Sequence, residues 1–277
     1  MRIITDTSSL YSPKEGQELG FDVLPLNVVV DNKSYKEFVN ITSEEFLEIV
    51  KEGHVPTSSQ PSIGETMELF EKYAGEEILV INMADGLSGT YQSTLSAKES
   101  TENNENIHVI NSMTLCGPHR YLVQKAMALK EKGVSLIEIQ KELHKCIAQE
   151  KSFLIPQDFG FLKRGGRLTP LAATVGGMLR ITPVMTKTKD GKRLEKFTMK
   201  KTFKSAIKEV IKSLQEMGVN EDFLIFVSHG GVLQQAQETV AQIQEVFQNI
   251  KIELYELSPA FITQGGPGCI AIQTIRK

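Results

Sequence analysis

Residues 78–93 read ILVINMADGLSGTYQS, and this segment combines three patterns in order. Ile78–Asn82 is an almost wholly apolar run with the length of a buried strand. A polar turn with two glycines follows it, and a helix is predicted from about Tyr91. The succession of strand, polar turn and helix is typical of a parallel sheet covered by helices.

The same succession recurs on both sides of this segment. Arg2–Thr5 is predicted to be a strand followed by polar residues, and Ile107–Asn111 is predicted to be a strand followed by a helix over about residues 119–132. The carboxyl ends of parallel strands lie at one edge of the sheet, and ligands bind beyond that edge. The polar residues after Thr5, Asn82 and Asn111 are therefore expected to lie close together.

The regions around this unit give further predictions. Val23–Val30 is a strand-like run interrupted by Pro25, and Thr42 or Ser43 is expected to cap a helix that ends near Lys51. Pro61 and Ser62 are expected to open another helix, and residues 135–149 form an amphipathic helical pattern.

The second half of the chain has a different pattern. Strands at residues 181–185 and 193–199 flank Lys189-Asp190-Gly191, which predicts a hairpin. Further strands are expected at residues 223–228, 252–257 and 269–275, with helices at about 204–217 and 233–247. This order favours a mixed or antiparallel sheet. We therefore predict an α/β protein with two domains, residues 1–160 and 161–277.

Composition restricts the class of protein. The chain has 277 residues, of which 40% are hydrophobic and 23% charged, so a sizeable core is expected. The net charge of −3 argues against a dedicated nucleic-acid binder, whose surface would be basic. The three cysteines are an odd number and lie far apart, which favours reduced thiols over a disulfide framework.

The amino terminus runs directly into a predicted strand. We find no signal-peptide pattern and no apolar run of about 18 residues, the length that would cross a bilayer. A cytoplasmic protein without an integral membrane segment is therefore expected.

Two hydroxyl-rich segments contain no charged residue: Pro56–Ser62 (PTSSQPS) and Ser88–Ser93 (SGTYQS). Each precedes a predicted helix, where backbone N–H groups are free to bind an anion. The hydroxyls of Ser58, Ser88 and Thr90, with nearby N–H groups, could hold a carboxylate or phosphate. The alternative is that these residues only form turns and helix caps.

Other kinds of chemistry have weaker signals. Residues 86–90 begin like the nucleophile elbow of a serine hydrolase, but Thr90 stands where the closing glycine is needed. The five histidines show no metal-ligand spacing, so no metal site is predicted; His229, after a predicted strand, is the one histidine whose loop suggests a function. The sequence contains no P-loop, so a phosphotransfer role would need the nucleotide on another chain.

Two glycine-rich segments remain. Lys163–Arg167 (KRGGR) has three cations in five residues and is predicted to lie in a turn that is either simply solvated or a docking or phosphate-handling patch. Phe261–Gly268 (FITQGGPG) is either a tight turn or a close backbone approach to another group.

Five of these motifs, in this order over the whole chain, resemble the DegV family, the fatty-acid-binding subunits of bacterial fatty acid kinase. They are Asp6-Thr7-Ser8, Ser58–Ser62, Ser88–Ser93, Gly165-Gly166-Arg167 and Gly266-Pro267-Gly268. The resemblance implies an amino-terminal α/β/α domain with a parallel sheet, a carboxyl-terminal α/β domain with a mixed sheet, and a long-chain fatty acid such as palmitate or oleate buried between them. It implies no cofactor and no catalytic residue in this chain alone.

The resemblance also implies roles for residues. Ser58 and Ser88 would hold the fatty-acid carboxylate, with Thr90 and Gln264 in support; Arg167 and Arg164 would face an ATP-binding kinase subunit or the transferred phosphoryl group. Further supporting contacts are expected from Ser8, Thr57, Ser59, Ser93 and His229. The kinase subunit would form an acyl phosphate for phospholipid synthesis, and transient contact with a membrane surface fits this role.

Two positions depart from the family pattern. Ser58 stands where the family usually has Thr, which keeps a hydroxyl group. Gln264 stands where the family commonly has His, and an amide can donate a hydrogen bond but cannot titrate near neutral pH. A lipid carrier or sensor without kinase coupling is therefore the alternative, and a stand-alone serine hydrolase is a third.

Overall fold

The computed structural model of the chain describes residues 1–102, 104–174 and 181–277. Strands and helices follow one another in the order β1 (Arg2–Asp6), α1 (Pro13–Leu19), β2 (Asp22–Leu24), β3 (Asn27–Val30), β4 (Lys33–Lys36), α2 (Ser43–Lys51), β5 (Thr57–Ser59), α3 (Ile63–Lys72), β6 (Ile78–Asn82), α4 (Thr90–Glu99), β7 (Ile107–Asn111), α5 (Cys116–Glu131), α6 (Leu136–Ile147), β8 (Lys151–Ile155), α7 (Phe159–Gly165), α8 (Pro170–Ala173), β9 (Thr182–Lys187), β10 (Leu194–Lys200), α9 (Phe203–Glu216), β11 (Phe223–His229), α10 (Leu233–Gln244), β12 (Ile252–Glu256), α11 (Pro259–Gly265) and β13 (Ile270–Arg276).

The amino-terminal sheet has the strand order β2-β1-β6-β7, and its strand pairs are parallel. All five residues of β6 are buried, as their apolar character predicts. The prediction of a parallel sheet at β1, β6 and β7 is confirmed. Its carboxyl edge carries the polar residues that follow Thr5, Asn82 and Asn111.

Local sequence signals explain where several elements begin and end. Thr42 caps α2 by accepting a hydrogen bond from the Glu45 N–H, while the Glu45 side chain binds back to the Thr42 N–H. Ser62 caps α3 by accepting a hydrogen bond from the Glu65 N–H, without the reciprocal bond from the Glu65 side chain. Pro25 separates β2 from β3, because a proline cannot donate to a strand ladder.

The carboxyl-terminal sheet has six strands in the order β10-β9-β8-β13-β11-β12. Strands β11 and β12 are parallel, whereas the other neighbouring pairs are antiparallel. The prediction of a mixed sheet is therefore confirmed. Strand β8 (Lys151–Ile155) already belongs to this sheet, so sheet membership changes before the predicted domain boundary at residues 160 and 161.

A third, small antiparallel sheet has the order β4-β3-β5. Its strand β5 is Thr57–Ser59, which lies within the first hydroxyl-rich segment and pairs with β3. The prediction of a loop at these residues is therefore wrong. The pairing matters for function, because it fixes Ser58 opposite Val28 instead of leaving it on a mobile turn.

Two glycine-rich segments also differ from their predicted form. The predicted basic turn at residues 161–169 contains the last turns of helix α7, capped at its start by Asp158 and ended by Gly166 at a φ of 70°. Residues 261–265 belong to helix α11, and the glycines that follow end it. In both segments the glycines mark the end of a helix, whereas the composition of the segments predicted a turn.

The two larger sheets share one core. Helices α5 and α6 carry buried residues that cluster with Leu79 and Ile81 of β6 and with Leu224 and Phe226 of β11. A Cβ atom on Gly117 of α5 would lie 2.3 Å from the Phe226 ring, so glycine is required for this close approach. No helix among the described residues is long and apolar enough to span a membrane.

Candidate functional site

The carboxyl edge of the parallel sheet is held by the side chain of Asp6. This carboxylate accepts hydrogen bonds from Asn82 Nδ2 at 3.2 Å, from the Met83 N–H at 3.1 Å and from the Ser8 N–H at 3.0 Å. These bonds join the ends of β1 and β6. They also hold Met83, the first residue of the segment that leads to Ser88.

Ser8 is bound within the same buried network. Its hydroxyl lies 2.7 Å from His119 Nδ1, while Thr5 Oγ1 lies 3.0 Å from His119 Nε2. Burial lowers the pKa of His119, which favours the neutral imidazole. Ser8 is therefore held in a buried hydrogen-bonded network at the sheet edge.

Two cavities adjoin beyond this edge. The smaller one, which we call the mouth, has a volume of about 380 Å³ and is lined by Leu26, Ser58, Ser59, Gln60, Met83, Leu87, Ser88, Arg167, Ala260, Phe261 and Gln264. The larger one, which we call the inner cavity, has a volume of about 800 Å³. Met83, Leu87, Arg167, Phe261 and Gln264 line both, so the mouth leads into the inner cavity.

The inner cavity is walled mainly by apolar side chains: Met83, Leu87, Leu115, Cys116, Phe153, Leu154, Leu162, Met185, Leu194, Leu257, Phe261, Cys269 and Ala271. One wall is a face of the six-stranded sheet, where Ala271 of β13, Leu154 of β8 and Met185 of β9 stand in register. This arrangement suits a long apolar ligand.

Ser58 and Gln264 meet in the mouth. Gln264 Nε2 donates to Ser58 Oγ at 3.0 Å, joining strand β5 to helix α11. The other amide atom, Gln264 Oε1, is buried with no hydrogen-bond partner among the described residues. A Cβ atom on Gly165 would lie 2.1 Å from this oxygen, so a larger residue at position 165 would force the Gln264 amide to move. These two predicted residues are therefore brought together.

Ser88 and Thr90 form the second hydroxyl pair. Their oxygens lie 2.8 Å apart, and Ser88 Oγ also accepts a hydrogen bond from the Thr90 N–H at 3.3 Å. Ser88 lines the mouth, whereas Thr90 is buried behind it at the start of α4. The second hydroxyl segment therefore presents one serine to the mouth, supported by Thr90.

Arg167 stands where the mouth and the inner cavity join. Its Nε donates to the Leu87 carbonyl at 3.0 Å, and its Nη1 donates to the Gly165 carbonyl. Burial lowers the pKa of this guanidinium, and no carboxylate lies within ion-pair distance of it in the described part of the chain. The half-buried cation therefore has capacity to bind an anion.

Glu37 supports the mouth from behind. Its fully buried carboxyl accepts hydrogen bonds from the Thr7 hydroxyl and, at 2.9 Å, from the Ala260 N–H in the first turn of α11. Burial raises the pKa of Glu37 to about 7, an effect that the bonds from Thr7 and Ala260 oppose. Glu37 thus ties the strand edge to the helix that carries Gln264.

The remaining predicted residues lie around the mouth or away from it. Ser59 lines the mouth, whereas Thr57 is exposed on β5. His229 is buried at the end of β11, where burial lowers its pKa, and it lines neither cavity. Ser93 Oγ is buried in α4. Arg164 is exposed, with its guanidinium 4.5 Å from the centre of the Phe161 ring.

Several functional positions had no assigned role in the sequence analysis. Gln60 lines the mouth and stands inside a segment that was noted only for its hydroxyls. Glu37 lacks any local signal, because its partners are distant in sequence. Gln273 and Lys187 line the inner cavity from strands β13 and β9, and in a strand sequence a polar residue that faces a ligand cannot be told from one that faces solvent.

A model of the family described as "Uncharacterised protein, DegV family" matches residues 1–277. The chain belongs to the DegV family. It is 29% identical over 278 residues to the DegV domain-containing protein SA1258 of Staphylococcus aureus, covering 99% of this chain and 98% of that protein. It is 31% identical over 276 residues to the DegV domain-containing protein BH3627 of Halalkalibacterium halodurans, covering 98% of this chain and 96% of that protein.

Solved structures of DegV proteins share the whole fold. DegV of Bacillus subtilis, described as a fatty acid binding protein, has a TM-score of 0.86 and 26% identity, with 100% of this chain and 99% of that chain covered. A DegV family protein of Thermus thermophilus, described by its fatty acid binding, has a TM-score of 0.87 and 25% identity, with 100% of both chains covered.

Proposed function

We propose that this protein binds a long-chain fatty acid, with the tail in the inner cavity and the carboxylate in the mouth. The observation that carries the proposal is the junction at Arg167, where an apolar cavity of about 800 Å³ opens beside a half-buried cation. A ligand with a long apolar tail and one anionic end matches both parts.

The tail accounts for most of the expected affinity. A tail of roughly 14 methylenes at ~0.8 kcal/mol each gives about 11 kcal/mol of gross transfer free energy. The loss of translational and conformational freedom on binding reduces this value. The head group therefore needs its hydrogen-bonding capacity to be met, and does not need to supply most of the binding free energy.

The head group would be held by Ser58 and Ser88, with Gln264 and Thr90 behind them and Arg167 beside them. Hydroxyl donors and a guanidinium together can satisfy both oxygens of a carboxylate. This assignment gives Arg167 a role in the mouth itself. Arg164, which is exposed, is left for contact with a partner protein.

The relatives support this proposal. The DegV proteins of Bacillus subtilis and Thermus thermophilus are both described as binding fatty acids, and both share the fold of this chain over its full length. The assignment of the head-group residues is inferred separately, from the contacts within the mouth of this chain.

Lipid extraction from the purified protein, with native mass spectrometry of the same sample, tests the proposal. We expect one bound fatty acid per chain, or uptake of palmitate or oleate when either is added. Protein that stays free of lipid after both acids are added would contradict fatty-acid binding.

We further propose that the bound acid is presented to an ATP-binding kinase subunit, which converts its carboxylate to an acyl phosphate. This role fits the sequence, which has no P-loop of its own. It also fits Arg164, which is exposed in helix α7, as a contact for the partner. A cytoplasmic location goes with this proposal, because the kinase subunit needs ATP.

Gln264 favours a second candidate, a lipid carrier or sensor without kinase coupling. Its amide is bonded to Ser58 and cannot exchange a proton near neutral pH. Reconstitution with ATP and a kinase subunit distinguishes the two functions: acyl phosphate formation supports presentation, and its absence despite bound acid supports the carrier. The Gln264→His variant is the matched comparison, because it restores the residue common in the family.

A stand-alone hydrolase receives less support from the site. The contacts of the Ser88 hydroxyl are the hydroxyl and N–H of Thr90, and neither group is a base that would activate a nucleophile. Esterase turnover that disappears in Ser88→Ala would be needed to favour this function.

A further inference from the structure

A row of polar side chains lies on the wall of the inner cavity that the six-stranded sheet forms. Gln273 of β13 pairs with Ser152 of β8, and the pairing of Leu154 with Met185 places Lys187 of β9 beside Ser152. All three residues line the inner cavity. This polar row stands two residues further along the strands than the apolar row of Ala271, Leu154 and Met185.

The orientation of the Gln273 amide is fixed by two bonds. Its Nε2 donates to the Leu115 carbonyl at 3.0 Å and to Ser152 Oγ at 2.8 Å. Gln273 is 1% exposed, and its Oε1 has no hydrogen-bond partner among residues 1–102, 104–174 and 181–277. A buried acceptor without a donor is costly, so this oxygen calls for an explanation.

The neighbours of Gln273 are already engaged. Ser152 donates its hydroxyl to Glu150, and Thr186 donates to the Ser152 carbonyl at 2.8 Å. Lys187 Nζ donates to Glu150 and to the Met113 carbonyl, which leaves one of its three N–H donors. Among the described residues, the polar row therefore has one unpartnered acceptor, Gln273 Oε1, and one unused donor, the third N–H of Lys187 Nζ.

We propose that this polar row is a subsite for a hydroxyl group carried by the acyl chain of the ligand. The proposal rests on the proposed function, since it needs a fatty acid in the inner cavity. The ligand class is a mid-chain hydroxy fatty acid. Its hydroxyl would donate to Gln273 Oε1, with the Lys187 ammonium available as a donor to the hydroxyl oxygen.

The position of the hydroxyl follows from the register of β13. Cys269 lines the cavity at the level of helix α11, where a Cβ atom on Gly265 would lie 2.7 Å from its sulfur. Gln273 lies four residues further, or about 13 Å at ~3.3 Å per residue. With the proposed carboxylate held beside Gln264, the neighbour of Gly265, an extended acyl chain that advances about 1.3 Å per carbon would reach the polar row roughly ten carbons along.

The chemistry of the unpartnered atom separates a hydroxyl from other mid-chain groups. An acceptor is satisfied only by a donor, and neither a double bond nor a ketone carries a proton to donate. Oleate and a keto acid should therefore gain nothing from Gln273. A hydroxyl gains because a site with a buried polar group discriminates against ligands that leave the group unpaired.

Competition against a bound fluorescent fatty acid tests this with four probes: stearate, oleate, 10-oxostearate and 10-hydroxystearate. We expect 10-hydroxystearate to bind about tenfold more tightly than stearate, a ratio typical of one hydrogen bond to a buried group. Binding of 10-hydroxystearate that is equal to or weaker than that of stearate would overturn the subsite while leaving the proposed function intact. If no probe binds, the proposed function and the subsite fail together.

Variants and positional isomers complete the test. In Gln273→Leu the preference for 10-hydroxystearate should be lost while stearate still binds; an unchanged preference would contradict the proposal. Met185→Leu, in the apolar row, is the matched control and should change the affinities for both acids alike. In the unmodified protein, 3-hydroxystearate and 18-hydroxystearate should show no gain, and an equal gain for all isomers would also overturn the subsite.

Discussion

The mouth and the inner cavity are built by different means. The mouth combines single side chains from separate elements, among them Ser58 on β5, Gln264 on α11 and Arg167 after α7. The inner cavity uses a face of one sheet, whose rows are set by strand register. We infer that the mouth determines which head group is accepted. The inner cavity determines which tail is accepted and supplies most of the affinity.

Filling the inner cavity should have the largest effect. Ala271→Phe places an aromatic ring in the apolar row, so the tail loses its space, and we expect fatty-acid affinity to fall by at least about a hundredfold, since several methylenes at ~0.8 kcal/mol each would be displaced. The measurement is fatty-acid uptake by native mass spectrometry. Ile272→Val, on the opposite face of β13, is the control: it should lower stability slightly and leave uptake unchanged. Unchanged uptake in Ala271→Phe would refute the tail assignment.

The buried carboxyl group of Glu37, which supports the mouth, should make the free energy of unfolding depend on pH. Its pKa is raised in the folded protein from 4.5 to about 7, so the folded state binds the proton more tightly than the unfolded state. This contribution to stability is full below about pH 4.5 and is lost as the pH rises through about 7, a change on the order of 3 kcal/mol in the free energy of unfolding.

Urea unfolding at pH 5 and pH 8 measures this effect. Glu37→Gln should remove this part of the pH dependence, because the amide does not titrate. Glu68→Gln, at an exposed position of α3, should retain it. A Glu37→Gln profile that matches the unmodified protein would show that Glu37 does not titrate in this range.

Substitutions of Arg167 measure how much its positive charge, where the mouth joins the inner cavity, contributes to fatty-acid affinity. Arg167→Met should weaken fatty-acid binding about tenfold at pH 8, because a half-buried charge-assisted pair contributes roughly 1.5–3 kcal/mol less the cost of its desolvation. Arg167→Lys should keep part of the affinity. Arg164→Met is the matched control, since Arg164 is exposed on Phe161. Equal losses from both Met variants would argue against a carboxylate at Arg167.

The mouth hydroxyls should have the smallest effects. Ser58→Ala and Ser88→Ala each remove one uncharged donor to the carboxylate, and water in the mouth replaces part of the lost bond, so we expect a loss of about 1 kcal/mol, or about fivefold in affinity. Isothermal titration with oleate measures both variants against Thr57→Ala, whose side chain is exposed on β5 and lines neither cavity. If the double variant retains the acid as well as the unmodified protein does, the hydroxyls do not hold the carboxylate.

The fold was largely predictable where neighbouring residues determine local structure. Ile78–Asn82 and Ile107–Asn111 were predicted at their observed ends, since apolar runs between polar turns leave few alternatives. The segment at residues 161–169 was predicted wrongly, because its two glycines suggested a turn throughout. In the structure, Gly165 is the last residue of α7 and Gly166 caps the helix.

The candidate site was predictable in part. Ser58, Ser88 and Gln264 were named from hydroxyl composition and family resemblance, and the structure places all three on the mouth. Arg167 was expected to face the partner or the transferring phosphoryl group, and its position in the lining of both cavities could not be predicted. Glu37 and Gln273 could not be found, because their roles depend on burial and on partners that no local pattern specifies.

The sequence by itself determined most of the elements and, through the parallel order of β1, β6 and β7, the edge at which their polar residues meet. Only the tertiary structure decided that Ser58 meets Gln264, which lies 206 residues further along the chain. The physical reason is the range of the interactions. Propensities, caps and periodicity act between neighbours in sequence, whereas a cavity and the polar atoms facing it depend on how whole sheets and helices pack.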